Sequence, residues 1–458
     1  MLWLLVLLQG ASPEPAALRV RPGAITEGIR CRGAPQFSYE LYVPSGFKPD
    51  RAWPVLYVFD PRGRGRLGAE LFRDGAEARG YLIVSSNDTE SDNPEAPNGP
   101  VVNALWSDTH QRLPIDPKRR YAAGFSGGAR LASRLGLALK GDLAGILAAG
   151  GGFAPGQPPV RDLPFAVFAS TGLTDFNYYE MRRLAASLEK LAARYRLEVF
   201  DGGHDWPPAA LATACLEWFD VAAMRAGSLA RDPNLLGSVF AREMSRAEEL
   251  EASGKRVEAD ELLAALVRDL EGLYDTEAAD ARRSSLGPRV KQERRRREKL
   301  DQRDVAINAR NDQVITRVVA GDELPALGRV LHDLDVARLL EEARRADYDG
   351  ASARRRLAHI EVQTSFYQPR ELMARGEWRR AIVVLQVATT VDPESAFAHW
   401  QLARAHARRG SRREALGALE KAVDLGLRLP RARVEAEADL SSLREDPAFG
   451  RVLSRLPD

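Results

Sequence analysis

The sequence GFSGG at residues 124–128 lies between a short strand-like run and a helix-like run. This Gly-x-Ser-x-Gly pattern is typical of a nucleophile elbow, in which small residues beside a serine let a strand turn sharply into a helix and expose the hydroxyl group. We expect the strand over residues 120–123 and the first helical turns over residues 129–135. The alternative is an ordinary glycine-rich turn, but the order strand, motif and helix favours an elbow with Ser126 as its nucleophile.

A serine nucleophile needs an imidazole group to take its proton, and the chain has six histidines. Four of them lie in a helical half of the chain, and His110 precedes the serine. In proteins with this elbow the histidine comes last, in the order serine, acid, histidine. His204 is therefore the predicted base, and it lies in the sequence GGHDWP at residues 202–207. A surface histidine in a glycine-rich loop is the alternative, but it would leave Ser126 without a base.

The acid that orients the histidine is expected between Ser126 and His204. The carboxylates in that interval are Asp142, Asp162, Asp175, Glu180, Glu189, Glu198 and Asp201. Asp175 follows the apolar strand predicted at residues 164–170, and parallel sheets gather their functional side chains beyond the carboxyl ends of strands. Asp175 is therefore the predicted acid, with Asp201 as the next candidate.

Two backbone N–H groups are expected to stabilise an oxyanion, one after the nucleophile and one after an early strand. Gly127 supplies the first. The apolar run at residues 53–59 is suited to a buried strand, and the loop DPRGRG follows it at residues 60–65. Since proline has no N–H group, the second predicted donor is Arg62, unless this loop is only a solvated turn.

Residues 37–219, with IDP at 115–117, GFSGG and GGHDWP, resemble the secreted α/β-hydrolase esterases related to polyhydroxybutyrate depolymerases and feruloyl esterases. The resemblance implies a triad of Ser126, His204 and Asp175 and a carboxylic ester or related acyl substrate. It also implies an α/β fold with a mostly parallel sheet flanked by helices. Many members have a His-Gly pair after the early strand, where this chain has DPRG at residues 60–63.

The sequence predicts a serine hydrolase that needs no metal or organic cofactor. Two alternatives stay open, a catalytically degenerate scaffold that serves as a protein-binding module and a peptidase of the same fold. The net charge of +2 indicates neither a nucleic acid nor a strongly acidic partner. The basic run at residues 291–299 is interrupted by Glu293 and Glu298 and has no aromatic residues for base stacking, so it favours a solvated helix face.

Residues 1–17 begin with an apolar run and continue with small residues, which predicts a signal peptide and an exported protein. The run has no preceding lysine or arginine, and without export the protein would be cytoplasmic. It is too short to span a bilayer, and no other stretch is apolar enough to do so. Cys31 and Cys215 either form one disulfide or remain two buried thiols.

After about Met224 the sequence becomes rich in Ala, Leu, Arg and Glu at helical spacing. We therefore predict a hydrolase domain at residues 18–227 that folds and acts alone, a helical region with a degenerate repeat and a charged linker at 228–365, and an all-α repeat domain at 366–458.

Residues about 369–425 resemble tetratricopeptide repeats, because four pairs of small or apolar residues recur at a spacing of 34. The pairs are Gly376 and Gly410, Ala381 and Ala415, Leu385 and Leu419, and Ala388 and Ala422. Such repeats either present a concave surface to a peptide or partner protein or only pack on the hydrolase, and both readings stay open.

Overall fold

The computed structural model describes residues 18, 20–91 and 95–457. The predicted signal peptide at residues 1–17 lies outside the described residues, so export stays a prediction. Within the described part of the chain, no helix is both long and apolar enough to cross a membrane.

The described residues form one eight-stranded sheet in the order β1-β2-β4-β3-β5-β6-β7-β8. Its strands are β1 Ile25–Cys31, β2 Ala34–Tyr42, β3 Trp53–Phe59, β4 Leu82–Ser86, β5 Ile115–Phe125, β6 Gly145–Ala149, β7 Ala166–Gly172 and β8 Tyr195–Phe200. Strands β3 to β8 run parallel to one another, whereas β2 pairs antiparallel with β1 and β4. This arrangement is an α/β-hydrolase fold and confirms the predicted fold class.

Both faces of β3 are buried, as its continuous apolar run predicts. Alternate residues of that strand enter different cores, with Tyr57 on one face and Leu56 on the other. The flanking helices are α1 Gly65–Arg79, α2 Asn98–Arg112, α3 Gly127–Ala138, α4 Tyr178–Lys190 and α5 Ala209–Arg225. Helices α1 and α5 pack in the core with Leu56, whereas α2, α3 and α4 pack in the core with Tyr57.

The chain divides into two compact units. The first comprises the described residues up to Gly172 together with Glu180–Lys291, and the second comprises Leu173–Tyr179 together with the residues from Gln292 onward. These bounds differ from the predicted domains in two places. Residues 228–291 group with the sheet, and a short segment after β7 groups with the later helices.

Residues 228–291 join the first unit because helices cover the edge strand β8. These helices are α6 Pro233–Ala252, α7 Arg256–Leu270 and α8 Glu277–Ser285. The buried guanidinium group of Arg196 on β8 forms ion pairs with Glu198, with Glu243 of α6 at 2.8 Å and with Asp269 of α7 at 3.0 Å. A buried arginine requires such partners, so this edge of the sheet and the helical pair form one structure.

The second unit is all-helical apart from its first segment, as predicted for this part of the chain. Its helices follow α9 Pro288–Ala320 and are α10 Leu327–Asp333, α11 Val336–Glu342, α12 Tyr348–Val362, α13 Gln368–Ala374, α14 Trp378–Val391, α15 Ala396–Arg409, α16 Arg412–Asp424, α17 Arg431–Ala436 and α18 Pro447–Leu453, with a π-helical turn at Gln363–Tyr367 and a 3₁₀ helix at Ala438–Leu443. One apolar core runs from Val314 on α9 to Leu456 after α18.

The residues that recur at a spacing of 34 occupy equivalent places in two helix pairs, α13–α14 and α15–α16. Gly376 precedes α14 and Gly410 precedes α16, and both have positive φ angles. The alanine and leucine pairs of the spacing are all fully buried. The assignment to tetratricopeptide repeats, and a partner on their surface, stay predictions.

Both cysteines are free thiols in the structure. Cys31 on β1 and Cys215 on α5 are buried in different cores. Burial raises the pKa of the Cys31 thiol to about 12, and it also raises the pKa of Cys215. Of the two alternatives, the structure therefore has two protonated, buried thiols and no disulfide between them.

Candidate active site

Ser126 lies at the turn from β5 into α3, where the sequence predicts the elbow. Its backbone angles are φ 53° and ψ −117°, a conformation that L-residues rarely adopt. The turn is held by backbone hydrogen bonds, because Ser126 N–H donates to the Ala149 carbonyl at 2.8 Å and Ala129 N–H donates to the Ser126 carbonyl at 3.1 Å. A strained serine held in this way is common at functional sites.

The glycines beside Ser126 are required by close backbone approaches. A Cβ atom at Gly124 would lie 2.0 Å from the Gly128 carbonyl oxygen, and a Cβ atom at Gly128 would lie 2.1 Å from the Phe59 carbonyl oxygen. Neither backbone atom can move aside like a flexible side chain. The Gly-x-Ser-x-Gly pattern therefore follows from the packing of β5, α3 and β3.

The structure brings His204 to Ser126. His204 lies in the loop after β8, and its Nε2 is 3.0 Å from Ser126 Oγ. Its ring lies 4.6 Å from the ring of Phe125, which precedes the serine. Ser126 and His204 are both half-buried, so the hydroxyl and the imidazole remain partly accessible.

The buried carboxylate of Asp60 ties the histidine loop to the loop after β3. Trp206 Nε1 donates to Asp60 Oδ2 at 2.9 Å, and Arg64 donates to both carboxylate oxygens at 2.8 and 2.9 Å. Asp60 is 1% exposed. Burial by itself would raise the pKa of Asp60, but the hydrogen bonds from Arg64 and Trp206 outweigh it, and the pKa is lowered. Asp60 is thus an ionised anchor that positions the loop carrying His204.

The two predicted oxyanion donors differ in the acceptors that surround their N–H groups. Gly127 is the first residue of α3, where N–H groups have no acceptor within the helix. The N–H group of Arg62 donates to Asp60 Oδ1 at 2.9 Å, and Arg62 also forms an isolated β-bridge with Glu90. The loop after β3 is therefore held by hydrogen bonds.

Asp175 lies in the segment between β7 and α4, beyond the carboxyl end of the strand as predicted. It is fully buried, and its Oδ1 accepts a hydrogen bond from Asn177 N–H at 2.7 Å. It belongs to the segment Leu173–Tyr179, which groups with the second unit. Asp201, the next candidate, lies in the loop after β8 and is exposed.

Glu180 has a structural partner on α3, the helix that follows Ser126. Arg130 of α3 donates to both of its carboxylate oxygens, at 2.8 and 3.0 Å, and Gly152 N–H donates to Oε1 at 2.8 Å. Burial would raise the pKa of Glu180, but Arg130, the Gly152 N–H group and Arg183 together outweigh it, and the pKa is lowered. This ion pair links α3, α4 and the loop after β6 behind the elbow.

The sequence patterns did not reveal the roles of Asp60 and Glu180. Asp60 follows an apolar strand, which marks its loop, but nothing in the sequence indicates that Trp206 would donate to it. Arg130 and Glu180 are 50 residues apart and carry no motif. The Trp206–Asp60 and Arg130–Glu180 pairs form only when the fold brings together residues that are distant in the sequence.

The comparisons with known proteins find similar solved structures only. No family model matches the chain, and no curated protein matches it. A crystal structure of S-formylglutathione hydrolase from Staphylococcus aureus is 14% identical, with a TM-score of 0.35, over 44% of this chain and 99% of that one. An esterase from Pyrobaculum calidifontis is 14% identical, with a TM-score of 0.36, over 46% of this chain and 88% of the other. Thermogutta terrifontis esterase 2, phosphorylated by paraoxon, is 17% identical, with a TM-score of 0.35, over 47% of this chain and 100% of that one.

Proposed function

We propose that this protein is a serine hydrolase that cleaves carboxylic esters through a covalent acyl-enzyme. The observation that carries the proposal is the 3.0 Å distance between Nε2 of His204 and Oγ of Ser126, two residues 78 positions apart. A hydroxyl on a strained turn with an imidazole in hydrogen-bonding distance is the pair that nucleophilic catalysis needs. The loop positions of both residues, at the carboxyl ends of β5 and β8, support the same function.

In the proposed reaction, His204 takes the hydroxyl proton while Oγ of Ser126 attacks the ester carbonyl carbon. The tetrahedral intermediate places its negative charge near the N–H group of Gly127. The intermediate collapses when the bond to the alcohol oxygen breaks and His204 returns the proton to that leaving group. Water then attacks the acyl-enzyme with His204 again as the base, which releases the acid and restores Ser126.

Two further residues complete the proposal. Asp175 is the acid that keeps the imidazole of His204 in the correct tautomer, and its support is its place after β7 and its complete burial. Arg62 is the second oxyanion donor, and its N–H group would share its hydrogen between Asp60 Oδ1 and the oxyanion. The assignment of Asp175 rests on its position along the chain. The assignment of Arg62 rests on its place in the loop after β3.

Covalent labelling by a fluorophosphonate tests whether Ser126 is a nucleophile. We expect the purified full-length protein to be labelled once per chain, with the phosphorus adduct mapped to Ser126 by mass spectrometry. Hydrolysis of short activated esters should disappear in proportion to labelling. A folded protein that is neither labelled nor active would favour the alternative of a degenerate scaffold that binds a partner.

The substitution Ser126→Ala should abolish both labelling and ester hydrolysis, because one hydroxyl is removed from a turn whose backbone it does not hold. The matched control is Ser187→Ala on the exposed side of α4, where the hydroxyl donates to the Arg183 carbonyl oxygen at 2.9 Å. The control should keep full activity. Undiminished ester turnover in Ser126→Ala would overturn the proposal.

A further inference from the structure

The segment Leu173–Tyr179, which carries Asp175, groups with the helical unit, although along the chain it follows a strand of the sheet. It connects the end of β7 to the start of α4. Its two ends contact one buried arginine on α12, Arg355, although 182 residues separate Arg355 from Leu173. This arginine belongs to the part of the chain that the sequence assigns to a helical region outside the hydrolase.

Arg355 is fully buried, and three aromatic rings surround its guanidinium group. The guanidinium carbon lies 4.3 Å from the ring centre of Tyr178, 5.3 Å from that of Tyr179 and 4.9 Å from that of Tyr348. Cation–π contacts of this kind strengthen when water is excluded. The rings therefore hold the guanidinium group in one place.

The hydrogen bonds of Arg355 fix both ends of the segment. Its Nη1 donates to the Leu173 carbonyl oxygen at 3.1 Å, and its Nε donates to the hydroxyl of Tyr179 at 3.0 Å. Leu173 precedes Asp175 by two residues, and Tyr179 follows it by four. A planar guanidinium group can make both bonds at once in a fixed geometry, which a lysine cannot do.

Two carboxylates of α9 surround this cluster. One of them pairs with the guanidinium group of Arg355, and both accept hydrogen bonds from tyrosine hydroxyls. Asp301 lies 3.4 Å from Nη2 of Arg355 and accepts hydrogen bonds from the Tyr348 hydroxyl at 2.8 and 3.0 Å. Asp304 accepts a hydrogen bond from Tyr179 at 2.6 Å and another from Ser352. Burial raises the pKa of Tyr179 and of Tyr348, so both hydroxyls stay protonated and serve as donors.

We propose that Arg355 is a positioning residue for ester hydrolysis, which holds the Leu173–Tyr179 segment in the conformation that presents Asp175. This inference rests on the proposed function, because it takes Asp175 as the acid of the triad. In this proposal Arg355 acts only through the Leu173–Tyr179 segment and has no part in the chemical step.

The first test compares Arg355→Met with wild type in the full-length protein. We expect kcat for a short activated ester to fall about 10²-fold with little change in KM, because a displaced catalytic group costs rate more than binding. The matched control is Arg380→Met, since Arg380 also donates to backbone carbonyl oxygens in the same unit, those of Val318 and Gly321. The control should lower the melting temperature without lowering kcat. A folded Arg355→Met protein with wild-type kcat would overturn the inference.

A double-mutant comparison separates positioning from general stability. If Arg355 acts only through Asp175, the variant with both Arg355→Met and Asp175→Asn will be no slower than Asp175→Asn alone. If the two losses multiply, Arg355 acts by another route and the inference is wrong. Arg355→Lys keeps the positive charge but not the planar guanidinium group that makes both hydrogen bonds. It should therefore recover little of the kcat that Arg355→Met loses.

Hydrogen exchange of the segment provides a measurement that does not depend on activity. In the Ser126→Ala background, amides of residues 173–179 should exchange faster with Arg355→Met than with Arg380→Met. If Arg355→Met does not fold, Tyr179→Phe removes one bond from Arg355 and keeps the ring, and it should show the same change. Unchanged exchange in the folded variants would overturn the inference. An inactive, unlabelled wild-type protein would instead overturn the proposed function and leave the exchange result intact.

Discussion

At the scale of single residues, buried carboxylates position the loops of the candidate site. Asp60 accepts hydrogen bonds from three groups on two loops, and its lowered pKa shows that these bonds outweigh the cost of burial. We propose that the segment carrying Asp175 depends on Arg355 in a related way. In both places a buried charged side chain joins segments that are distant in the sequence.

The substitution Asp60→Asn should destabilise the protein by about 1–3 kcal/mol at pH 7, because hydrogen bonds to a charged acceptor are lost. The lowered pKa means that this stabilisation is complete above the ordinary aspartate pKa of about 3.9 and is lost as the pH falls through the lower folded value. The melting-temperature difference from wild type should therefore shrink below about pH 4. Asp74→Asn on the exposed side of α1 is the control and should have no effect. If Asp60→Asn still melted below wild type at acid pH, Asp60 would not be an ionised acceptor of these hydrogen bonds.

The substitution Asp175→Asn should lower kcat by about 10⁴-fold with the fold intact, as expected when the acid of a Ser-His-Asp triad can no longer hold the correct tautomer. Ester turnover at saturating substrate checks it. Asp201→Asn changes an exposed residue of the histidine loop and should remain active. If instead Asp175→Asn is fully active and Asp201→Asn is not, Asp201 is the acid.

At the scale of secondary-structure elements, the turn from β5 to α3 determines where Ser126 lies. The strand and the helix approach so closely that glycine is required at two positions. The Arg130–Glu180 pair then joins α3 to α4 behind this turn. The serine is held by the packing of whole elements and not by its own side chain.

The substitution Gly128→Ala should lower both the melting temperature and the yield of active protein, because its Cβ atom would lie 2.1 Å from the Phe59 carbonyl oxygen. We expect a loss of about 1–3 kcal/mol, the usual cost of forcing extra atoms into a packed core. Gly417→Ala in α16 is the control, since a Cβ atom there meets nothing within 4 Å. That control should gain about 0.5–1 kcal/mol from its higher helix propensity. If Gly128→Ala were as active and as stable as wild type, the turn would have room for a side chain at residue 128.

At the scale of the whole molecule, the compact units do not end where the sequence composition changes. The composition changes near residue 227, whereas the first unit continues to Lys291. The apolar residues Val221 and Met224 of α5 pack in one core with α6 and α7, and Arg196 pairs with carboxylates of both helices. Helices α6–α8 therefore complete the first unit.

A fragment of residues 18–291 should be more stable than a fragment of residues 18–227. The shorter fragment exposes Val221 and Met224, and burying two such side chains contributes about 3–6 kcal/mol, or about 10 °C in melting temperature. Circular dichroism melts of both fragments measure the difference. Equal melting temperatures would support the sequence-based boundary near residue 227.

The sequence by itself determined the features that depend on neighbouring residues. The apolar run of β3, the strand–elbow–helix order around Ser126 and the glycine at residue 128 follow from local packing needs that leave a pattern in the chain. His204 could also be named, because four of the six histidines lie in the helical half of the chain and chain order excluded His110. Asp175 was placed by the same reasoning and stays a prediction.

Only the tertiary structure decided the contacts that join distant residues. Trp206 donates to Asp60 across 146 positions, and Arg355 donates to Leu173 across 182. Such pairs have no periodicity and no motif, because the strand order and helix packing that bring them together involve the whole chain. The grouping of the Asp175 segment with the helical unit has the same origin, since the buried guanidinium group of Arg355 is stabilised by the acceptors and rings that the fold places beside it.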